Sequence, residues 1–394
     1  CLEMPLCDLP FKSVFFINRK KDFPLFMPCE AITKNNESHC PIQKIPNPLE
    51  WQSDDSELNP EQIINSLNYQ TLQDNHRKGI KDKRCKFCWD LEKIGPHSPR
   101  LNPDKIDKDT DGLMVHFLLD NKCNMACRMC SPMASSLLQK DFNYFKHHKN
   151  VDDITSVTDG FFSSDDILSS VELSQWDWVI NNIHKIGALK VTGGEPLFNK
   201  QFINAMTPLK KDGLNLNVTT NGSLFTNKMC DILNEFKGLY FTISLDSIGK
   251  NYEYVRYPYN FKKVEKSIAN FIKRCYNIKE IKYNCVVSAL NIFYIDELIK
   301  WNNDSFNIYF TEVYPNLRGI GIKNLPVFLL KELYDIILNV EFSDHMLLNM
   351  IQKAIDDNQE DKQKMIKEIK LFDSSRNQKF ENYLHPKLVQ WLQS

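Results

Sequence analysis

Residues 123–130 read Cys123-Asn124-Met125-Ala126-Cys127-Arg128-Met129-Cys130. Three cysteines fall in eight residues, separated by three residues and then by two. Three thiolates on one short loop can surround a soft metal centre and leave one position open. Zinc takes four protein ligands in structural sites and three in catalytic ones. An iron–sulfur cubane held by three thiolates leaves one iron for another ligand. The bland alternative is three unrelated buried cysteines, and the flanking sequence argues against it. The triad follows Leu113-Met114-Val115-His116-Phe117-Leu118-Leu119, an apolar run of the kind that makes a buried strand. After it come Ser131-Pro132 and a helical pattern through Leu137 and Phe145. The cysteines thus sit on the loop after the first strand of an α/β unit.

With those residues in place, the sequence resembles the radical S-adenosylmethionine (radical SAM) enzymes. The resemblance implies a [4Fe–4S] cluster on Cys123, Cys127 and Cys130 whose free iron chelates SAM. It implies an electron from a reductant such as a flavodoxin or ferredoxin. Reductive cleavage of SAM then gives a 5′-deoxyadenosyl radical that abstracts hydrogen from a substrate. Many family members carry an aromatic residue just before the third cysteine, near the adenine; here the position is Met129, apolar and adaptable.

From about residue 105 to 318, strand and helix patterns alternate, which argues a parallel sheet with crossover helices. Strands are expected at Leu113–Leu119, 188–192, Leu214–Thr219, Leu239–Leu245, Ile281–Val287 and Ile308–Val313. Six such units match the family's partial (β/α)6 TIM-type barrel, whose sites gather at the C-terminal strand ends. After the second strand comes Gly193-Gly194-Glu195-Pro196. Alone it is a strand-to-helix turn; placed one strand after the cysteine loop, it resembles the motif that holds the SAM amino group. After the third comes Thr219-Thr220-Asn221-Gly222, by itself an ordinary turn; the resemblance puts Thr219 and Asn221 at the rim of the SAM site. Ser244 and Asp246 share one face of the fourth strand. By resemblance they face the SAM ribose, although Asp246 also reads as a helix cap. Arg256 is similar to the family's arginine near the SAM carboxylate, with an exposed structural arginine as the alternative. Ser288 and Asn291 match polar positions near SAM only loosely. No catalytic residue is singled out.

The N-terminal third holds Cys1, Cys7, Cys29, Cys40, Cys85 and Cys88. Cys85-Lys86-Phe87-Cys88 is a CxxC pair, a frequent source of two ligands to one metal. Cys7 and Cys29 flank a candidate hairpin, Val14–Ile17 with Leu25–Met27. Between hairpin and CxxC lies a helical pattern with Ile63, Ile64, Leu67 and Leu72 on one face. This order resembles a twitch, or SPASM-like, module placed before the barrel. It implies an auxiliary iron–sulfur cluster on Cys7, Cys29, Cys85 and Cys88; a four-cysteine zinc site fits the spacing equally well. Past Leu325-Pro326, helical patterns cover 327–340, 346–355 and 365–371. Phe372-Asp373-Ser374-Ser375-Arg376 and Leu384-His385-Pro386 read as turns. The Asp-x-x-Arg resembles one near the C-terminus of N-terminal-twitch proteins.

Residues 1–104 are therefore expected as the auxiliary module, 105–318 as the barrel and 319–394 as a helical extension. The formal net charge of −1 over 394 residues gives no general footprint for nucleic acid. No apolar run is long enough to span a bilayer. The first residue, Cys1, reads as a processed or trimmed start, and no secretory signal stands there. Twelve cysteines without such a signal point to a reducing, cytoplasmic compartment. Relatives with such modules often modify peptides, which makes a peptide or protein the leading substrate expectation. A small metabolite or nucleotide, or a non-catalytic iron–sulfur or zinc-binding protein, are the alternatives.

Overall fold

The computed structural model describes residues 13–17, 25–27, 65, 67–94, 98, 101, 105–148, 171, 173–209, 211–313, 319–340 and 345–394. Eight strands form one sheet in the order β2-β1-β3-β4-β5-β6-β7-β8. They are β1 Ser13–Ile17, β2 Leu25–Met27, β3 Leu113–Leu118, β4 Ile186–Thr192, β5 Asn215–Thr220, β6 Gly238–Ser244, β7 Ile278–Val287 and β8 Asn307–Glu312. All neighbours from β1 and β3 onward to β8 are parallel; only β1 and β2 run antiparallel. The helices among the described residues are α1 Leu67–Arg77, α2 Lys86–Ile94, α3 Lys105–Asp109, α4 Leu138–His148, α5 Leu173–Asn181, α6 Lys200–Met206, α7 Asn227–Leu233, α8 Gly249–Val255, α9 Phe261–Arg274, α10 Ile295–Asn302, α11 Val327–Leu338, α12 His345–Asp356, α13 Lys362–Arg376 and α14 Pro386–Gln393.

The six expected barrel strands are present, each within three residues at either end. The strands alternate in burial as a sheet covered by helices on one face must. Leu189, Val191, Leu216, Val218, Phe241 and Ile243 are fully or almost fully buried and join one core with Phe202, Met206 and Phe271 of the crossover helices. Phe225 stacks on Phe271 at 4.2 Å, and Phe117 meets Trp176 at 4.3 Å. The other face is polar. Lys190 registers with Asn217, Thr219 with Thr242, and Ser244 with Asn284.

The hairpin does form between the expected strands, but it is part of the barrel sheet. Val14 pairs with Val115 and Phe16 with Phe117, in parallel. The physical reason is the edge: without β1, strand β3 would present unpaired backbone groups. Two other expectations need correction. Leu67 is 80% exposed while Leu72 is buried, because the buried face of α1 runs through Tyr69, Leu72 and His76; Ile63 and Ile64 lie outside the described residues. Phe372–Arg376 is not a turn but the last turns of α13. Ser374 and Ser375 satisfy their hydroxyls on the carbonyls of Lys370 and Phe372, and the helix stops at Asn377 with φ 51°. No helix among the described residues is long and apolar enough to cross a membrane.

Candidate SAM and cluster site

The cysteine loop leaves β3 and is stitched at once to the turn after β4. Gly194 N donates to Asp120 O at 3.0 Å, and Glu195 N donates to Lys122 O at 2.9 Å. The two glycines make this possible. A Cβ on Gly194 would lie 2.4 Å from Lys122 O, and one on Gly193, at φ +125°, 2.8 Å from Leu119 O. Their close approach is therefore to the cysteine loop's own backbone. Asp120 secures the start of the loop, accepting from Lys122 N at 3.0 Å and Asn199 Nδ2 at 2.9 Å. Ser135 closes its far end, donating to Met125 O at 2.6 Å and accepting from Leu138 N.

Glu195 is 1% exposed. Its carboxylate accepts from Thr220 Oγ1 at 2.6 Å, Asn221 N at 2.7 Å and Leu197 N at 3.1 Å. Burial pushes its pKa up to about 7, against the pull of these hydrogen bonds. Thr220 is the threonine that meets Glu195; Thr219, expected at the rim of the SAM site, is half-buried on the polar face of the sheet beside Thr242. Asn221 Nδ2 donates to Asn124 Oδ1 at 2.8 Å, and Asn124 in turn donates to Ser223 Oγ at 2.9 Å and to Tyr259 OH. Asn124, inside the cysteine motif, was passed over in the sequence because only the cysteines carried a spacing signal.

Asp246 and Arg256 form a buried ion pair at 2.7 Å. Asp246 also accepts from Val286 N at 2.8 Å. Arg256 Nη1 reaches Cys127 Sγ at 3.8 Å. Arg256 is thus buried and engaged rather than exposed. Ser244 is half-buried on the polar face of the sheet. Ser288 and Asn291 are fully buried: Asn291 Oδ1 accepts from Ser288 Oγ at 2.9 Å, and Nδ2 donates to Asp246 O at 2.7 Å. Met129 is buried in the main core.

Cys123, Cys127 and Cys130 are all half-buried on the loop. Burial raises the Cys123 thiol and pushes Cys127 up to about 12; each senses the charge of its sister cysteines. Met125 N donates to Cys123 Sγ at 3.4 Å. Among the described residues, no three Cys, His, Asp or Glu side chains gather round a point as a single ion needs. A cubane spreads its thiolates over separate irons, so the donor set and its backbone and guanidinium hydrogen bonds fit a cluster.

Behind the loop lies a network that sequence reading did not assemble. Arg128 Nη2 donates to Asp373 Oδ1 at 2.6 Å, and its guanidinium lies 3.6 Å from the Tyr254 ring centre. Tyr254 OH also donates to Asp373, at 2.8 Å. Arg376 Nη2 donates to Ala126 O at 2.7 Å and pairs with Asp141 at 2.8 Å. The Asp-x-x-Arg of α13 thus grips the back of the cysteine loop. Loop backbone is also tied to the end of α8: Arg128 N donates to Val255 O and Ala126 N to Tyr257 O.

Residues 119–302 match the family model described as the Radical SAM superfamily. This segment is a radical SAM domain. The match covers the cysteine loop, the Gly193–Glu195 turn and the Asp246–Arg256 pair. A curated S-adenosylmethionine-dependent nucleotide dehydratase from Selenomonas ruminantium is 29% identical over 141 residues, 34% of this chain and 39% of that protein. The chain thus spans about two fifths of the length of that relative. Among solved structures, native anSMEcpe with bound AdoMet is 18% identical over 57% of this chain and 59% of its own, with a TM-score of 0.38. Streptococcus suis SuiB bound to the precursor peptide SuiA is 15% identical over 73% of this chain and 54% of its own, with a TM-score of 0.38. At such scores the radical SAM domain inherits nothing from them about substrate.

In the N-terminal region, Cys7 and Cys29 lie outside the described residues. Cys85 and Cys88 are buried where a short 3-10 turn runs into α2. Cys85 Sγ lies 3.4 Å from His76 Nε2. Asp82, on the turn before them, accepts from Arg84 and Asn75, and Trp89 Nε1 donates to its carbonyl at 2.8 Å.

Proposed function

We propose that this chain is a radical SAM enzyme acting on a polar small molecule of the nucleotide kind. The observation that carries the enzyme reading is the meeting, at one end of the sheet, of the cysteine loop, the Gly193–Glu195 turn and the Asp246–Arg256 pair. Cys123, Cys127 and Cys130 hold a [4Fe–4S] cluster. When bound, the cluster and SAM supply a 5′-deoxyadenosyl radical that takes hydrogen from the substrate. The chain's own residues bind and orient. Gly193, Gly194 and Glu195 border the amino end of SAM, and Thr219 and Asn221 form its rim. Arg256 offers a buried cation near its carboxylate, while Asp246 acts through Arg256. Ser244 serves the ribose and Met129 the adenine.

The substrate reading rests on the polar sheet face, where Lys190, Thr192, Asn217, Thr242, Lys282 and Asn284 alternate with the buried core residues. Such a wall suits hydrogen-bonding and anionic groups better than an apolar side chain. The nucleotide dehydratase activity of the Selenomonas relative points the same way. A peptide or protein substrate is the second reading, kept by the resemblance to peptide-modifying enzymes with twitch modules.

Cys85 and Cys88, buried one helical turn apart, would join Cys7 and Cys29 in an auxiliary iron–sulfur cluster; a zinc ion is the rival occupant. The protein would work in a reducing cytoplasm with a flavodoxin or ferredoxin as electron donor.

The test is anaerobic reconstitution, with iron, sulfide and zinc counted, followed by SAM and dithionite. About eight irons per chain and 5′-deoxyadenosine release are expected. Full clusters with no 5′-deoxyadenosine in the presence of nucleoside triphosphates or peptides would sink the enzyme reading. Release stimulated by peptides and not by nucleotides would move the substrate to the second reading. Cys85→Ala leaving the iron count unchanged would remove the auxiliary cluster.

A further inference from the structure

Among the buried donors without a hydrogen-bond partner in the described residues are Tyr252 OH and Arg376 Nη1, both on segments that contact the cysteine loop. They reach the loop from different elements. Tyr252 is fully buried on α8, one turn before Arg256 and on the same helix face. Arg256 Nη1 from that face lies 3.8 Å from Cys127 Sγ. Arg376 comes from α13. Its Nη2 is taken by Ala126 O and Asp141, and its Nε faces Asp141 at 3.3 Å, which leaves Nη1. The guanidinium is held between the Tyr257 and Phe372 rings, each 4.8 Å away, so it has little freedom to turn elsewhere.

An unmade hydrogen bond at a buried donor costs the full desolvation of that group. Two such donors on segments that touch the residues at and beside Cys127 make physical sense when an acceptor arrives there. Tyr252 belongs to none of the features described above, and the contacts of Arg376 described there use Nη2 and Nε, not Nη1.

Resting on the radical SAM reading above, we propose that Tyr252 and Arg376 donate hydrogen bonds to sulfur at the Cys127 corner of the iron–sulfur cluster and hold its reduction potential up. Reduction adds one negative charge to the cluster. Donors to its sulfurs stabilise that form more than the oxidised one, so removing a donor makes the potential more negative. Electrostatics agree. Burial first, and Arg128 second, hold the Arg376 pKa below its ordinary value, a deficit that a nearby anion relieves. Burial raises the Tyr252 hydroxyl, which keeps it a neutral donor, and both groups sense the charge of Cys127.

The experiment is an EPR-monitored redox titration of the anaerobically reconstituted full chain without SAM. Wild type is compared with Tyr252→Phe, Arg376→Lys and the double variant Arg376→Gln/Asp141→Asn. Tyr252→Phe removes one buried oxygen that has no hydrogen-bond partner among the described residues, so folding stability of the apoprotein should be equal or higher. Full cluster content with a more negative potential is expected for Tyr252→Phe and the double variant, with a smaller displacement for Arg376→Lys. An unchanged potential in fully loaded Tyr252→Phe and double variant overturns the proposal. If the Arg376 variants do not fold, wild type carrying 15N-arginine must show two guanidinium couplings in pulsed EPR, one from Arg256 and one from Arg376; a single coupling overturns the Arg376 half. Wild type that binds no cluster is a different result: it removes the radical SAM reading itself.

Discussion

Arg376 Nη2 lies 2.7 Å from the carbonyl oxygen of Ala126, 250 positions away along the chain. Arg128 Nη2 makes the matching contact to Asp373 Oδ1 at 2.6 Å. The residues on either side of Cys127 are thus both fastened to α13. A loop of eight residues cannot fix three thiols by its own hydrogen bonds, and here the last third of the chain supplies the rest.

Removing one partner of the Arg128–Asp373 pair strands a charge at a site where the side chains are 1% and 9% exposed. Asp373→Ala should cost about 3–5 kcal/mol of stability. The double variant Arg128→Met/Asp373→Leu should recover most of it, because the pair is then absent rather than broken. Denaturant midpoints of the apoproteins check this; an Asp373→Ala loss below about 1 kcal/mol would contradict the assignment.

Gly194→Ala places a methyl 2.4 Å from Lys122 O, and both are backbone-fixed. Something must shift, at about 1–3 kcal/mol. The shift is directed at the residue preceding Cys123, so iron content should fall more steeply than folding stability. Gly213→Ala, which meets nothing within 4 Å, is the control that should leave both unchanged.

Glu195→Gln keeps the shape and loses an acceptor. Its amide nitrogen meets either Asn221 N or the donors Leu197 N and Thr220 Oγ1, setting donor against donor. A penalty of about 1–3 kcal/mol follows. SAM affinity, measured by equilibrium dialysis on the reconstituted protein, should weaken while the iron count holds.

Asp82, on the turn that leads into Cys85, supplies a pH dependence outside the barrel. Burial would raise its carboxyl, but the hydrogen bonds from Arg84 and Asn75 prevail and bring it to about 2 from 3.8. A depressed carboxylate stabilises the fold fully above its unfolded pKa and loses that contribution as pH falls. Stability of the α1–α2 region should therefore drop between about pH 4 and 2. Hydrogen exchange at α2 amides measures it. The drop should be shallower in Asp82→Asn, and equal slopes in both proteins would refute the link.

The barrel was largely legible because its signals are local. Each parallel strand is a short apolar run, and the cysteine spacing and the Gly-Gly-Glu turn are written in consecutive residues. The contacts that complete the site are not local. Nothing near Arg128 announces Asp373, and Phe372–Arg376 reads as a turn because its serines favour turns in isolation; tertiary burial of Arg376 and Phe372 overrides that preference. The contact of Thr220 with Glu195 is not legible either, because which face a strand's last residue takes depends on a boundary, and a shift of one residue reverses it. The hairpin was visible, but not its parallel pairing with β3, since register between distant strands has no sequence signature.

That pairing also bears on how the protein is made. Val14 finds its partner in Val115, so the hairpin leaves the ribosome long before the strand that completes it. In the interval both edges of a two-stranded ribbon are open to other nascent chains. A shortened gene product starting after the hairpin would reverse the exposure, leaving β3 as a bare edge directly upstream of the cysteine loop. Low yield of such truncations would then reflect misassembly during synthesis, and chaperone capacity in the expression host would decide how much protein reaches the stage at which iron can be delivered.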